Sequence, residues 1–216
     1  MDFVALRQRM VESQLRTNRV TDENLLAAIH AVPRELFVPR ALRSVAYVDD
    51  DIEVARGRYL MEPMVFARLA QLAEIEPTDL VLDIGCGTGY SAAVLARLAN
   101  GVVAVESDPD LAQRATELLR ELEVANASVF QGPLEGGHPS QAPYDVIFLD
   151  GAAAEIPPAI AGQLAEGGRL VAVLTGAGVG RATIMTKTGG QVSGRPVFDA
   201  AVRPLPGFAG KPRFVF

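Results

Sequence analysis

Apolar residues in the first third of the chain recur at helical spacing. Phe3, Leu6, Met10 and Leu15 share a face, with Arg and Gln between them, and this predicts a helix over residues 3–18. Thr21 is the expected N-cap of a second helix, with Asp22 and Glu23 in its first turn and Leu25, Ile29 and Val32 on one face. Pro33 should stop that helix at the residue before it. "VPRELFVP" and a short segment to Tyr47 follow, then the acidic trio Asp49, Asp50 and Asp51, read as a surface turn. "IEVARGRYLMEP" carries neither period and is read as irregular, while Met64 to Ala73 reads as helix again.

From Leu80 the pattern changes. "LVLDIG" is a short apolar run of the kind that makes a buried strand, and Thr88 to Leu98 is an alanine-rich helix. "VVAVES" gives a second strand and Asp108 to Leu122 a second helix, opened by "DPD". Asn126 to Gln131, "YDVIFLD" and "GGRLVAVL" give three more strands, with a helix expected over Ile156 to Leu164. Strands alternating with helices define an α/β fold, a mostly parallel sheet covered on both faces. Arg181 to Thr186 and Val192 to Phe198 flank Gly189 and Gly190, which predicts an antiparallel hairpin at one edge. The whole, 1–216, is read as one domain: an N-terminal helical segment, 1–78, on an α/β core, 79–216.

The first predicted strand ends in "LDIGCGTGY", Leu82 to Tyr90. In an open parallel sheet, ligands bind beyond the carboxyl ends of the strands, where the strand order reverses. A nucleoside triphosphate calls for G-x-x-x-x-G-K-[ST], yet this turn has no lysine. A dinucleotide calls for G-x-G-x-x-G, whereas Gly85, Gly87 and Gly89 are spaced G-x-G-x-G, with Tyr90 at the last glycine's place. Asp83 is also unhelpful beside a pyrophosphate. S-adenosylmethionine has no phosphate. Its ammonium suits Asp83, and its ribose hydroxyls suit a carboxylate at the end of the second strand, where Glu106 stands beside Ser107. Cys86, inside the turn, reads as a small residue in backbone contact.

Composition narrows the classes. The formal net charge of −6, from 26 acidic and 20 basic residues, argues against a general nucleic-acid binder. One cysteine and two widely separated histidines, His30 and His138, leave no metal-ligand spacing. No basic start precedes an apolar stretch, and no run reaches the roughly 20 apolar residues that span a bilayer, so the expectation is a cytoplasmic protein without a membrane partner. Arg34 and Arg40 read as surface arginines, Tyr47 as a core-edge residue, and "FDAAVRPLPGF", 198–208, as a tail that closes the core or covers the acceptor site.

The chain resembles the class I S-adenosylmethionine-dependent methyltransferases and, within them, the protein-L-isoaspartate O-methyltransferase family. The likeness runs through "VPRELFVP", "AYVDD" (46–50), "VLDIGCGTGYSAAVLA" (81–96), "VVAVESDPDLAQRA" (102–115), "APYDVI" (142–147) and "QLAEGGRLV" (163–171). The resemblance implies a Rossmann-like fold and S-adenosylmethionine bound by Asp83, Gly85, Cys86, Gly87, Gly89, Glu106 and Ser107, with Pro133 and Leu134 near the adenine. It implies methylation of isoaspartyl side carboxylates in aged proteins and peptides, a repair activity, with Tyr59, Leu60 and Met61 on the acceptor side. Three positions depart from the family pattern. Met61 and Tyr59 stand where the family carries serine and threonine, Gly132-Pro133-Leu134 replaces Gly-Asp-Gly, and Asp150 replaces a small residue. A carboxylate acceptor is ionised at neutral pH and needs no general base, so the missing serine removes a positioning hydrogen bond and not a proton acceptor. If Asp150 faces the methyl group it suits a neutral hydroxyl or amine, which keeps a small-molecule acceptor, or a cofactor-binding paralogue without isoaspartyl activity, as alternatives.

Overall fold

The computed structural model describes residues 1–176 and 179–208. Helix α1 (Phe3–Met10) is capped by Asp2 and continues through a wide π turn at Val11–Leu15 and a 3₁₀ turn at Arg16–Asn18. The expected helix over 3–18 is therefore present, with three hydrogen-bond spacings along it. Helix α2 (Glu23–Ala31) is capped by Asp22 and not by Thr21. The Asp22 carboxylate accepts from the amides of Asn24 and Leu25, while the Thr21 amide is held by Gln71.

The segment read as irregular is a hairpin, β1 (Ile52–Ala55) against β2 (Arg58–Leu60), turned at Gly57 with φ +71°. Helix α3 (Pro63–Leu72) follows, with proline at its first position, where no amide is needed. The core then alternates: β3 (Leu80–Ile84), α4 (Tyr90–Leu95), β4 (Gly101–Glu106), α5 (Pro109–Glu121), β5 (Ala127–Gln131), β6 (Tyr144–Ala153), α6 (Pro158–Ala161), β7 (Leu164–Leu174), β8 (Arg181–Thr188) and β9 (Gln191–Asp199). Helix α6 is shorter than expected because Gly162 caps it and β7 begins at Leu164.

The sheet runs β5-β4-β3-β6-β7-β8-β9, parallel from β5 to β7, with the β8–β9 hairpin antiparallel at one edge. Strand order reverses between β3 and β6, which places the glycine turn at the switch point. Strand β6 runs three residues past Asp150, with an irregular register between Phe148 and Ala152. Asp150 is thus held inside a bulged strand and is not a solvated strand end.

One apolar cluster joins the N-terminal segment to one face of the sheet through Met10, Leu25, Phe37, Phe66, Tyr90 and Phe148. Phe66 meets Tyr90 at 5.5 Å and Phe148 at 5.6 Å between ring centroids, each pair tilted or edge-on. The opposite face packs Leu134, Tyr144, Ile160, Leu205 and Phe208. Among the described residues no helix is long and apolar enough to cross a membrane.

Candidate cofactor and acceptor site

The turn after β3 needs its glycines. Gly85 and Gly89 have φ of +85° and +94°, and a Cβ on Gly89 would meet that of Ala115 at 3.0 Å. Both Gly85 and Cys86 amides donate to the Val105 carbonyl, pinning the turn to the end of β4. Cys86 is buried, and burial together with Asp83, Glu106 and Asp150 pushes its thiol upward, so the sulfur stays protonated and unreactive.

Glu106 is fully buried and saturated. Its Oε2 accepts from Gly87 N at 2.8 Å and from Arg58 Nη2 at 2.5 Å. Its Oε1 accepts from the amides of Ser107 and Asp108 and, more weakly, from Ser107 Oγ. A carboxylate offers about four lone-pair sites, and these donors fill them. Among these partners the Arg58 guanidinium and the weaker Ser107 hydroxyl are side chains, able to swing away without moving the main chain. The hairpin brings Arg58 here: Gly57 turns the chain so that Arg58 points inward, where it also donates to the Gly85 carbonyl at 3.1 Å. Nothing in the periodicity of "VARGRYL" marks Arg58 as buried.

Asp83 and Asp150 lie on one face of the sheet, because Asp83 is opposite Phe148 and Asp150 is two positions further along β6. Ser91 at the start of α4 donates to Asp83 Oδ2 at 2.6 Å and also lies within reach of Asp150. Burial, then the neighbouring Asp150 charge, raises Asp83 well above the usual carboxylate range. Burial pushes Asp150 to about 7, against the lowering influence of Ser91, Arg58 and Arg34. Each of the two acids keeps one buried oxygen without a partner among the described residues, Oδ1 in both cases.

Arg34 is not a surface residue: it is completely buried. Its guanidinium donates to the carbonyls of Ala46 and Met61 and lies 4.9 Å from the Tyr90 ring centroid. Arg40 is exposed. Tyr47 is buried, hydrogen-bonded to Glu35 and Arg7. Asp49 and Asp50 are exposed as expected, but Asp51 turns inward and accepts from Glu62 N at 2.9 Å.

On the acceptor side, Leu60 and Met61 are buried and Tyr59 is half-buried, with Arg203 5.3 Å from its ring centroid. The tail both closes the core and covers the site. Leu205 sits over the turn and the β6 bulge: a Cβ added to Gly85 or Gly151 would come within 2.6 Å of it. Between them Arg58, Met61, Asp150, Arg203 and Leu205 leave a hollow of about 10 Å³, room for a single water. The nucleoside side differs. The Cβ positions of Gly87 and Gly132 face open space. Pro133 is exposed, whereas Leu134 is buried among the apolar residues beneath.

A parallel sheet with a glycine turn at its switch point and an acid ending the next strand is a nucleoside-binding fold, and the similarities to known proteins make it a class I methyltransferase. The model of the family described as protein-L-isoaspartate(D-aspartate) O-methyltransferase matches residues 6–205. A protein-L-isoaspartate O-methyltransferase of Methanoculleus marisnigri is 45% identical over 166 residues, 77% of this chain and 76% of that one. One from Koribacter versatilis is 36% identical over 208 residues, covering 96% and 94%. A solved protein-L-isoaspartate O-methyltransferase superposes with a TM-score of 0.82 at 26% identity, over 94% of this chain and 67% of that one. A Plasmodium falciparum structure, described as a putative member in complex with S-adenosyl-L-homocysteine, shares the fold with a TM-score of 0.79 at 19% identity, over 92% and 97%. The chain belongs to the protein-L-isoaspartate O-methyltransferase family, a family of S-adenosylmethionine-dependent O-methyltransferases.

Proposed function

We propose that this protein binds S-adenosylmethionine at the turn after β3 and methylates the side carboxylate of isoaspartyl residues in proteins and peptides. The observation that carries the reading is the turn itself: three glycines with positive φ, flanked by Asp83 and Glu106, with open space over Gly87 and Gly132. The donor set fits the cofactor. Asp83 has an unpartnered oxygen for an ammonium, and Glu106 is placed for ribose hydroxyls once Arg58 yields. Gly132 leaves room for a base, and the turn from Gly85 to Gly89 carries no lysine for a phosphate. When bound, S-adenosylmethionine supplies the methyl group and a neutral thioether leaving group.

The chain's own residues position and dry the acceptor. Met61 and Leu205 wall the hollow with apolar surface; it now has room for one water, so a carboxylate enters once Leu205 gives way, and Arg58 and Arg203 then offset its charge. Because the acceptor is already ionised, alignment and exclusion of water are the work required. We read 1–216 as one domain, supported by the apolar cluster that runs from Met10 to Ala200. We place the protein in the cytoplasm as a repair enzyme, on the strength of its family and its lack of a membrane-spanning helix among the described residues. Radiolabelled methyl transfer to an isoaspartyl peptide, with the aspartyl peptide as control, tests the reading. Base-labile label on the isoaspartyl peptide alone supports it; label on neither peptide overturns it.

A further inference from the structure

The reading above leaves one group at the reaction centre without a role. Asp150 is 7% exposed, lines the hollow beside Met61, and keeps Oδ1 buried without a hydrogen-bond partner among the described residues. An orphaned buried oxygen costs of order 1–3 kcal/mol, so its retention calls for an account. Met61 offers a thioether and no donor. An acceptor carboxylate entering the hollow would therefore meet no neutral donor from Met61, and an ionised Asp150 would repel it.

We propose that Asp150 touches the methyl acceptor as a carboxylic acid, donating its hydrogen to one oxygen of the acceptor carboxylate. The proposal rests on the isoaspartyl reading. The geometry supports it: the two carboxyl groups lie on one face of the sheet, Ser91 gives its single hydrogen to Asp83, and two like charges in one buried site do not both ionise readily. The raised titration of both acids agrees. The two then divide the labour. Asp83 lies on the cofactor side, and Asp150 presents its oxygen to the acceptor. Methyl-ester formation on a carboxylate moves no proton, so Asp150 keeps its hydrogen throughout and acts by hydrogen bonding alone.

Several charged or titratable groups face this acid. Asp83, Cys86 and Glu106 stand at the ends of β3 and β4, and Arg58 and Asp51 come from the hairpin side. Arg34 reaches in beside Tyr90, and Arg203 comes from the tail. Arg58 is tied to Glu106, and the Arg34 guanidinium is engaged by two carbonyls. Neither therefore gives Asp150 a direct ion pair.

The test is peptide binding by calorimetry, with the protein saturated with S-adenosylhomocysteine, alongside methyl transfer across pH. In the wild-type protein, affinity for an isoaspartyl peptide should fall about tenfold from pH 6 to pH 8, as a group titrating near 7 loses its acid form. Asp150→Asn keeps a donor, so it should keep the pH 6 affinity and lose the pH dependence. Asp150→Ala should lose affinity at both values. A wild-type affinity that is flat or rises with pH overturns the proposal, as does an Asp150→Asn protein as weak as Asp150→Ala. Ester formation with a flat profile strikes the role of Asp150 alone. Absence of S-adenosylhomocysteine binding strikes the functional reading, and this role with it.

Discussion

Arg58 and Glu106 form a buried ion pair across the rim of the sheet, with the hairpin's guanidinium filling the acceptor capacity that the strand-end acid would offer to a ribose. Cofactor entry then competes with an internal salt bridge. Arg58→Gln leaves a buried charge poorly compensated and should lower stability without cofactor by about 3–5 kcal/mol. The same change frees Glu106, and affinity for S-adenosylhomocysteine should rise by about tenfold, or roughly 1.4 kcal/mol. Denaturant unfolding and calorimetry on the same preparations read both effects.

The turn tolerates little at Gly89. With φ at +94° and Ala115 in contact, Gly89→Ala combines backbone strain with overpacking. The expected cost is about 2–4 kcal/mol. A shift of that size in urea midpoint, with unchanged slope, would establish it.

Leu205 is the tail residue that lies on the turn. Leu205→Ala should widen the hollow, cost about 2–5 kcal/mol of stability, and raise the association rate of S-adenosylhomocysteine several-fold. Surface plasmon resonance separates the rate from the affinity.

Stability should fall as pH rises from 5 to 7. Asp83 and Asp150 titrate above their unfolded values, so between the two values the native chain holds protons that the unfolded chain has lost. Their contribution is complete below about pH 4, diminishes as pH climbs, and for Asp150 is gone above about 7. Each such carboxyl gives a slope of about 1.4 kcal/mol per pH unit within that window. Asp150→Asn should flatten the profile and stabilise the protein at pH 7.5, both measurable by unfolding at several pH values.

The parallel core was legible because its strands are continuous apolar runs and helix α5 announces its start with "DPD". The glycine turn was legible because positive φ requires glycine. The β1–β2 hairpin was not: its strands have four and three residues, too few to display a period, and arginines flank its turning glycine. The buried state of Arg34 and Arg58 was also hidden. A charged side chain enters a core when carbonyls and a carboxylate from distant elements meet it, and Ala46, Met61, Gly85 and Glu106 become its neighbours only after folding. Asp150 looked like a strand terminus because the apolar run "YDVIFL" stops there, yet the bulge carries β6 onward to Ala153.

The central claim is that the pocket of Asp83, the three glycines and Glu106 binds a sulfonium nucleoside. Titration of the wild-type protein with S-adenosylhomocysteine, beside Glu106→Ala, tests it most directly. The account predicts one saturable site in the wild type and a loss of at least tenfold in the variant. A wild-type protein that gives no binding heat and no thermal shift with S-adenosylhomocysteine, yet binds NAD, would contradict it.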